Sequence, residues 1–431
     1  VKVAADQSAR KDFEGSDLIV AEEQTVSYGN PTLRFTHRTA RVTVVLTDYT
    51  EERMFVRLTG LSTENGNPAQ ITPYNKGGDT YTALVAPQSV ATGTAFITCK
   101  FTNGKVFVYK MKNDTDWQAG KEYTYTVSLA AAKDPGYTVS EDGKTYTVTS
   151  ADGLLAWNEA VQKDMTLNCT LADNIDLTGK DWTPIGTSFG NSYTGTFDGN
   201  GKTITGLTVT GSDRYTGLFG FIKGTVKNVV LTEINITSGT FVSGVAGWSF
   251  GGNIENCSVS GSVSGSDVGG VVGYQQGGSI TGCSSSATVK GTQRAGGVAG
   301  TTNSGATLTA CYATGDVTVE NDGTSNAWAG GVVGSNAYST VIACYAAGNV
   351  SGTGSGTIHV GGVTGENFDG TLTACYWSGL PDNDNGGATK VDGTTVTWQT
   401  AVAAMNAALS GKGWQYELKD GNSLPTLKKE Q

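Results

Sequence analysis

From Cys311 onward, small and apolar residues occupy every second position. Cys311, Ala313, Gly315 and Val317 form one set, with Tyr312, Thr314 and Asp316 between them. Cys344, Ala346, Gly348 and Val350 repeat the arrangement around Tyr345, Ala347 and Asn349. A period of two predicts strands with one buried face. These strands belong to a longer recurrence. The phrase Gly-x-x-Gly begins at Gly217, Gly244, Gly270, Gly297, Gly331 and Gly362, at steps of 27, 26, 27, 34 and 31 residues. A second phrase follows each copy and ends at Val229, Cys257, Cys283, Cys311, Cys344 and Cys375. One unit of this length cannot bury its apolar face alone. The leucine-rich and charged runs of helical repeats are missing. The reading is one coil of a parallel β-helix per repeat, with glycine at the corners and equivalent side chains stacked. Coils then follow at the ordinary strand separation of about 4.8 Å.

Two helical patterns flank the repeats. Leu154, Trp157 and Val161 share one face over residues 152–163, with Asp152 as the expected N-cap. Trp398, Val402, Met405 and Leu409 share another, with Gly411 positioned to end the helix. Each is expected to cover one open end of the β-helix, where bare strand edges would otherwise pair with another molecule. Trp414, Tyr416, Leu418, Leu424 and Leu427 supply a last apolar patch, and Lys428 to Gln431 read as a solvated tail.

The first part of the chain alternates differently. Strand-like runs cover Thr32–Phe35, Arg41–Leu46, Met54–Leu58, Tyr81–Val85, Ala95–Phe101, Val106–Met111 and Tyr123–Leu129. Thr102-Asn103-Gly104-Lys105 between two of them is a hairpin signal. The expectation is an antiparallel β-sandwich of about seven strands over residues 1–131. A linker follows at 132–137, then a hairpin around Glu141 to Lys144, with the β-helix spanning 138–427. The fold class is therefore all-β.

Composition narrows the function. Glycine at 61 of 431 residues with only 16% charged residues fits turn-rich β structure. A net charge of −10 argues against nucleic-acid and anionic-membrane partners. No apolar run is long enough to span a bilayer. The chain begins at Val1 and shows no signal peptide, so an export signal is expected upstream. Five of the seven cysteines, Cys257, Cys283, Cys311, Cys344 and Cys375, hold one repeat position and read as a stacked column of buried thiols. No CxxC spacing marks a zinc site, and Cys99 and Cys169 lie outside the column.

The repeats resemble the GLUG motif of bacterial surface proteins. Upstream phrases carry the resemblance further: Asn174 to Leu177, Trp182 to Gly186, and Gly195 to Ile204. It covers residues 145–427 and implies a right-handed β-helix on an exported protein. Ser16-Asp17-Leu18, Leu33 to Arg38, Val42-Thr43-Val44, Ile71-Thr72-Pro73, Val85 to Gln88 and Ala119 to Tyr125 resemble the Bacteroidetes fimbrillin-like family. That implies the sandwich of pilus subunits and tip adhesins. Val1 to Ala5 read as a strand already inside the domain, so an N-terminal portion is expected to be missing. Together the resemblances imply a cell-surface, outer-membrane-associated or fimbrial location.

Candidate chemistry is sparse. His37 and His359 stand away from any nucleophile, and no nucleophile elbow, metalloprotease helix or phosphate loop occurs. A β-helix polysaccharide enzyme needs clustered carboxylates. The acids Asp213, Glu233, Glu255, Asp267, Asp316, Glu320, Asp322, Glu366 and Asp369 fall at different repeat positions. Asp382 to Gly387 has the start of a calcium loop without its later glutamate and reads as a polar loop. The expectation is no enzyme, no metal and no cofactor. The aromatic pattern is the candidate site. Phe221, Trp248 and Tyr274 follow the Gly-x-x-Gly phrases of the first three coils, and Tyr312, Tyr345 and Tyr376 follow the last three cysteines. If cysteine faces in, its neighbour faces out, and each set forms an outward ladder. Such ladders would meet a host or microbial surface glycan or protein, or other fimbrial subunits. The favoured expectation is an adhesin. The alternatives are a β-helix enzyme acting on polysaccharide and a structural pilus or spacer subunit, in which the rings only stack on one another.

Overall fold

The computed structural model describes residues 2–25, 27–29, 32–48, 54–101, 106–129, 136–140, 142–321, 323, 325–419 and 423–430. They fall into two compact units, Val1–Asp134 and Pro135–Gln431. Val1, the Thr102–Lys105 turn, residues 132–135 of the expected linker, and Glu141 lie outside the described residues.

In the first unit, Val42, Val44 and Leu46 alternate into the core from the strand Ala40–Thr47. That strand lies between Glu122–Ser128 and Thr80–Val85, with Tyr74–Gly77 beyond. A second sheet joins Met54–Leu58, Ala95–Phe101 and Val106–Lys110, all antiparallel. Phe96, Ile97, Trp117 and Val127 fill the core with the first set. Trp117 Nε1 donates to Tyr125 Oη at 2.8 Å, so the buried indole keeps its hydrogen bond. Two expectations need correction. Glu122–Ser128 runs parallel to Ala40–Thr47, so the sandwich is mixed. In place of the expected strand Thr32–Phe35 the chain pairs Thr36–His37 with Ile19–Val20, and Leu33 and Phe35 are exposed.

The second unit is a β-solenoid of about seven turns built from three parallel sheets. A short-strand sheet carries the phrases ending in cysteine. Val226, Ile254, Ile280, Leu308, Val341 and Leu372 stack in register at its centre, and Cys169 and Phe197 extend the same column upstream. A glycine-phrase sheet stacks Phe219–Ile222, Ala246–Phe250, Val272–Gln276, Ala299–Asn303, Val333–Ala337 and Thr364–Phe368. The third sheet holds the long strands, such as Ser258–Gly269 and Thr288–Gly296. In the two coils with longer steps this strand is split, as Val317–Asn321 with Ala327–Gly330 and Val350–Gly354 with Ile358–Gly361. Register holds on either side of the split.

The five repeat cysteines are buried and free. Each thiol donates to the carbonyl two residues before it, from Cys257 to Glu255 at 3.3 Å through Cys375 to Thr373 at 3.4 Å. Cys257 N and Cys311 N in turn donate to the sulfurs of Cys283 and Cys344, one coil on. Burial pushes the Cys375 thiol up to about 12.

The helix Ala151–Val161 covers the first coil, with Trp157 5.2 Å from Phe197. Its N-cap is Ser150, which accepts from Gly153 N, rather than Asp152. The opposite end departs from expectation. The helix Trp398–Ala408 packs on the flank of the coils beside Ala310, Ala343 and Tyr345. The last coil is closed by the loop expected to be merely polar. Asp384 Oδ1 accepts from Val363 N and Thr364 N, and Oδ2 from Gly386 N and Ala388 N. Asn385 Nδ2 donates to Val360 O and Gly365 O. This satisfies backbone groups that a further coil would otherwise take.

Candidate ligand-binding seam

Two columns of side chains run side by side on either side of the Gly-x-x-Gly turns. One is Phe221, Trp248, Tyr274, Thr301, Ser335 and Glu366, in register from coil to coil. The other is Tyr215, Phe241, Asp267, Arg294, Trp328 and His359. The turn brings them together because its second glycine leaves room for backbone to approach backbone. A Cβ at Gly247 would lie 2.5 Å from Thr216 N, and one at Gly273 2.8 Å from Val242 N.

Within each column the rings lie parallel. Trp248 and Tyr274 stack at 4.2 Å and 23°, Phe221 and Trp248 at 5.9 Å and 11°, Tyr215 and Phe241 at 5.7 Å and 11°. Between columns they meet edge to face, with Phe241 4.6 Å from Trp248 at 76°. The ring faces are therefore turned to one another, and edges point outward. Phe221 is buried, which corrects the expectation that it faces solvent; Trp248 and Tyr274 are half-buried. Phe189 and Phe250 flank this end, exposed at 57% and 37% and 5.1 Å apart.

Farther along, the seam turns polar. Arg294 donates to Asp267 at 2.9 Å and lies 5.2 Å from the Trp328 ring, which stacks on His359. Burial pushes the Asp267 carboxyl above its ordinary value, against the pull of the guanidinium. Ser335 donates to Glu366 at 2.6 Å. Trp248 Nε1, Arg294 Nε and Thr301 Oγ1 are buried without a hydrogen-bond partner. The second column was missed from sequence, although a signal existed. Phe241, Asp267, Arg294, Trp328 and His359 each stand three residues before a Gly-x-x-Gly phrase. Their differing chemistry hid the shared position.

The other expected ladder is not free. Tyr345 is 1% exposed, a correction to its expected outward display, and Tyr312 and Tyr376 are half-buried. Tyr312 and Tyr345 do stack, at 5.0 Å and 3°. The C-terminal segment folds back over them as a strap. Trp398 lies 5.1 Å from Tyr345, and Tyr416 Oη donates to Ala343 O at 2.9 Å. The antiparallel pair Trp414–Glu417 and Thr426–Lys429 continues past earlier coils, where Lys429 reaches Glu255 at 2.8 Å. The tail expected to be solvated is thus partly tied down.

Residues 1–147 match the family model described as fimbrillin-like, and residues 244–264 and 264–290 match the model of the GLUG motif. The first unit is a fimbrillin-like domain and the second a GLUG β-helix. A crystal structure from Bacteroides ovatus, provisionally described as an immunoglobulin A1 protease, is 21% identical at a TM-score of 0.53. The alignment covers 67% of this chain and 93% of that one, a likeness of fold. A fimbrial protein from Bacteroides ovatus ATCC 8483 is 18% identical, at a TM-score of 0.20 over 33% of each chain. Halomucin of Haloquadratum walsbyi is 35% identical over 108 residues, which are 22% of this chain; the chain spans 1% of that protein's length. These features are those of a surface or fimbrial protein. No helix among the described residues is long and apolar enough to cross a membrane.

The GLUG coils matched by the family model are those that carry Trp248 and Tyr274. Elsewhere in the GLUG β-helix three carboxylates are engaged separately: Asp198 with Lys227, Asp382 with Lys390, Asp384 with backbone amides. In the fimbrillin-like domain His37 lies 2.9 Å from Asp17. Among the described residues no three His, Cys, Asp or Glu side chains converge as metal ligands.

Proposed function

We propose that this protein is an adhesin of the cell surface or a fimbria, and that the two-column seam of the β-helix is its contact surface. The reading rests on one observation: a continuous strip of aromatic and polar side chains crosses the coils, with Trp248 and Tyr274 half-buried along it, and three of its polar atoms lack partners. Buried polar groups without partners call for an occupant, from water or from a ligand. The partner is a host or microbial surface glycan or protein, and other fimbrial subunits dock through the fimbrillin-like domain. The action is binding without bond chemistry, supported by the separate engagement of the carboxylates.

The test is binding of the full chain to immobilised host and microbial glycans and matrix proteins, with Trp248→Ala and Tyr274→Ala. Loss of binding in folded variants is the expected result. Binding that survives both changes refutes the seam as the contact surface. The spacer reading draws on the burial of Tyr345 and on rings whose faces satisfy one another. It predicts that both variants lose stability while no ligand is found.

A further inference from the structure

We infer that the seam takes an acidic polysaccharide, and that its charged units sit at the Phe189 end. This rests on the proposed function and adds the ligand's charge. Two cations bracket that end. Arg214 is exposed, and its guanidinium lies 5.4 Å from the Tyr215 ring and 5.8 Å from Phe241. Lys223 Nζ lies 3.5 Å from the centre of the Phe189 ring and donates to Phe189 O at 2.9 Å. Among the described residues neither is paired with a carboxylate. Arg294, farther along the same seam, is neutralised by Asp267. The two walls are thus flanked by one free positive charge each in the coil that holds Tyr215 and Phe221.

The rings reinforce that sign. An aromatic ring is negative on its face and positive at its edge. Stacking within the columns hides faces and turns edges outward. The strip therefore offers positive ring edges and the two cations Arg214 and Lys223. Every one of these favours an oxygen-rich anionic partner. The chain as a whole carries −10, so a polyanion gains nothing from the overall field, and binding must come from this local array. A polysaccharide fits better than an acidic peptide. Its sugar units recur along the chain, as the partly exposed rings Trp248 and Tyr274 recur from coil to coil.

The experiment uses the full chain with hyaluronan, polygalacturonate and heparin, carboxyl-reduced hyaluronan as the neutral control, and poly-glutamate as the acidic peptide. The first two present carboxylates and heparin adds sulfates, so the arms separate the two anions. At least one acidic polysaccharide binds, and added salt weakens it. Arg214→Ala and Lys223→Ala each lower affinity roughly tenfold, as loss of a charged hydrogen bond does. Lys223→Arg retains binding, which excludes collapse of the loop around Phe189 as the cause. Equal binding to carboxyl-reduced hyaluronan, or no effect of Arg214→Ala combined with Lys223→Ala, overturns the inference. Equal binding of poly-glutamate with the same variant dependence also overturns it, in favour of a protein ligand. If only neutral glycans bind, and Trp248→Ala abolishes that binding, the inference fails while the adhesin reading stands.

Discussion

Gly282→Asn isolates the contact between strap and coil. Gly282 stands before Cys283 at a corner with φ +66°, and Asn256 occupies the same corner one coil earlier at φ +52°. Asparagine tolerates this left-handed conformation, so the coil itself accepts the change. The strap does not. A Cβ at Gly282 would lie 2.2 Å from Trp414 Cζ2, 2.4 Å from Cη2 and 2.7 Å from Cε2. The indole, 5% exposed, must move away. Forcing extra atoms into packed space costs about 1–3 kcal/mol. Complete release of the ring approaches the roughly 3–5 kcal/mol of a large aromatic deletion. The Lys429–Glu255 pair is partly exposed on both sides and adds at most about 1 kcal/mol. A loss of about 2–3 kcal/mol is expected, concentrated in the strap. Amide exchange over Trp414–Glu417 and Thr426–Lys429 should rise while the short-strand sheet stays protected. Asn256→Gly, at the exposed equivalent corner where Asn256 Nδ2 donates to Asn228 Oδ1, reports the contribution of the corner residue itself. Unchanged strap protection, with stability within about 0.5 kcal/mol of wild type, refutes the seating of Trp414 on this corner.

Asp384→Asn turns two donors toward amide groups that need acceptors. It should cost about 2–3 kcal/mol in urea unfolding and expose the last coil first in proteolysis. Asp392 accepts from Thr394 N, Thr395 N and Val396 N, and those bonds hold its carboxyl down from 3.8 to about 2. A depressed carboxylate stabilises fully above its unfolded value, so protection of the Val396 amide should be lost as pH falls from about 4 through about 2. All seven cysteines are buried and free, and burial pushes Cys99 up to about 11. Native protein at pH 8 should resist thiol reagents, and unfolded protein should titrate seven thiols; rapid native labelling of any repeat cysteine would contradict the column.

The β-helix was legible because its information is periodic. A residue recurring at one repeat position must face the same environment in each coil, and only superposition achieves that. Cys257, Cys283 and Cys311 therefore announced a buried column. Leu154, Trp157 and Val161 announced a helix for the same reason, at a different period. The N-cap was misassigned by two residues, since Ser150 and Asp152 are both competent caps and the local turn decides between them. The parallel pairing of Glu122–Ser128 with Ala40–Thr47 left no trace, because alternation reports which face is buried and not strand direction.

Alternation and recurrence along the chain were enough to establish the coil, its inward side chains and the all-β class. They act through neighbours in sequence or at a constant step. Which outward side chains meet, and which stay uncovered, was decided only in three dimensions. Tyr345 and Trp248 look alike from their repeat positions, yet Tyr345 lies beneath Trp398 and Tyr416 while Trp248 lines an open seam. The covering segment arrives from 50–70 residues farther along the chain, roughly the span of two coils, and no period links it to the surface it covers. Arg294 and Trp328 share a place three residues before the glycine phrase, but only the registry of coils of unequal length shows that their unlike side chains touch.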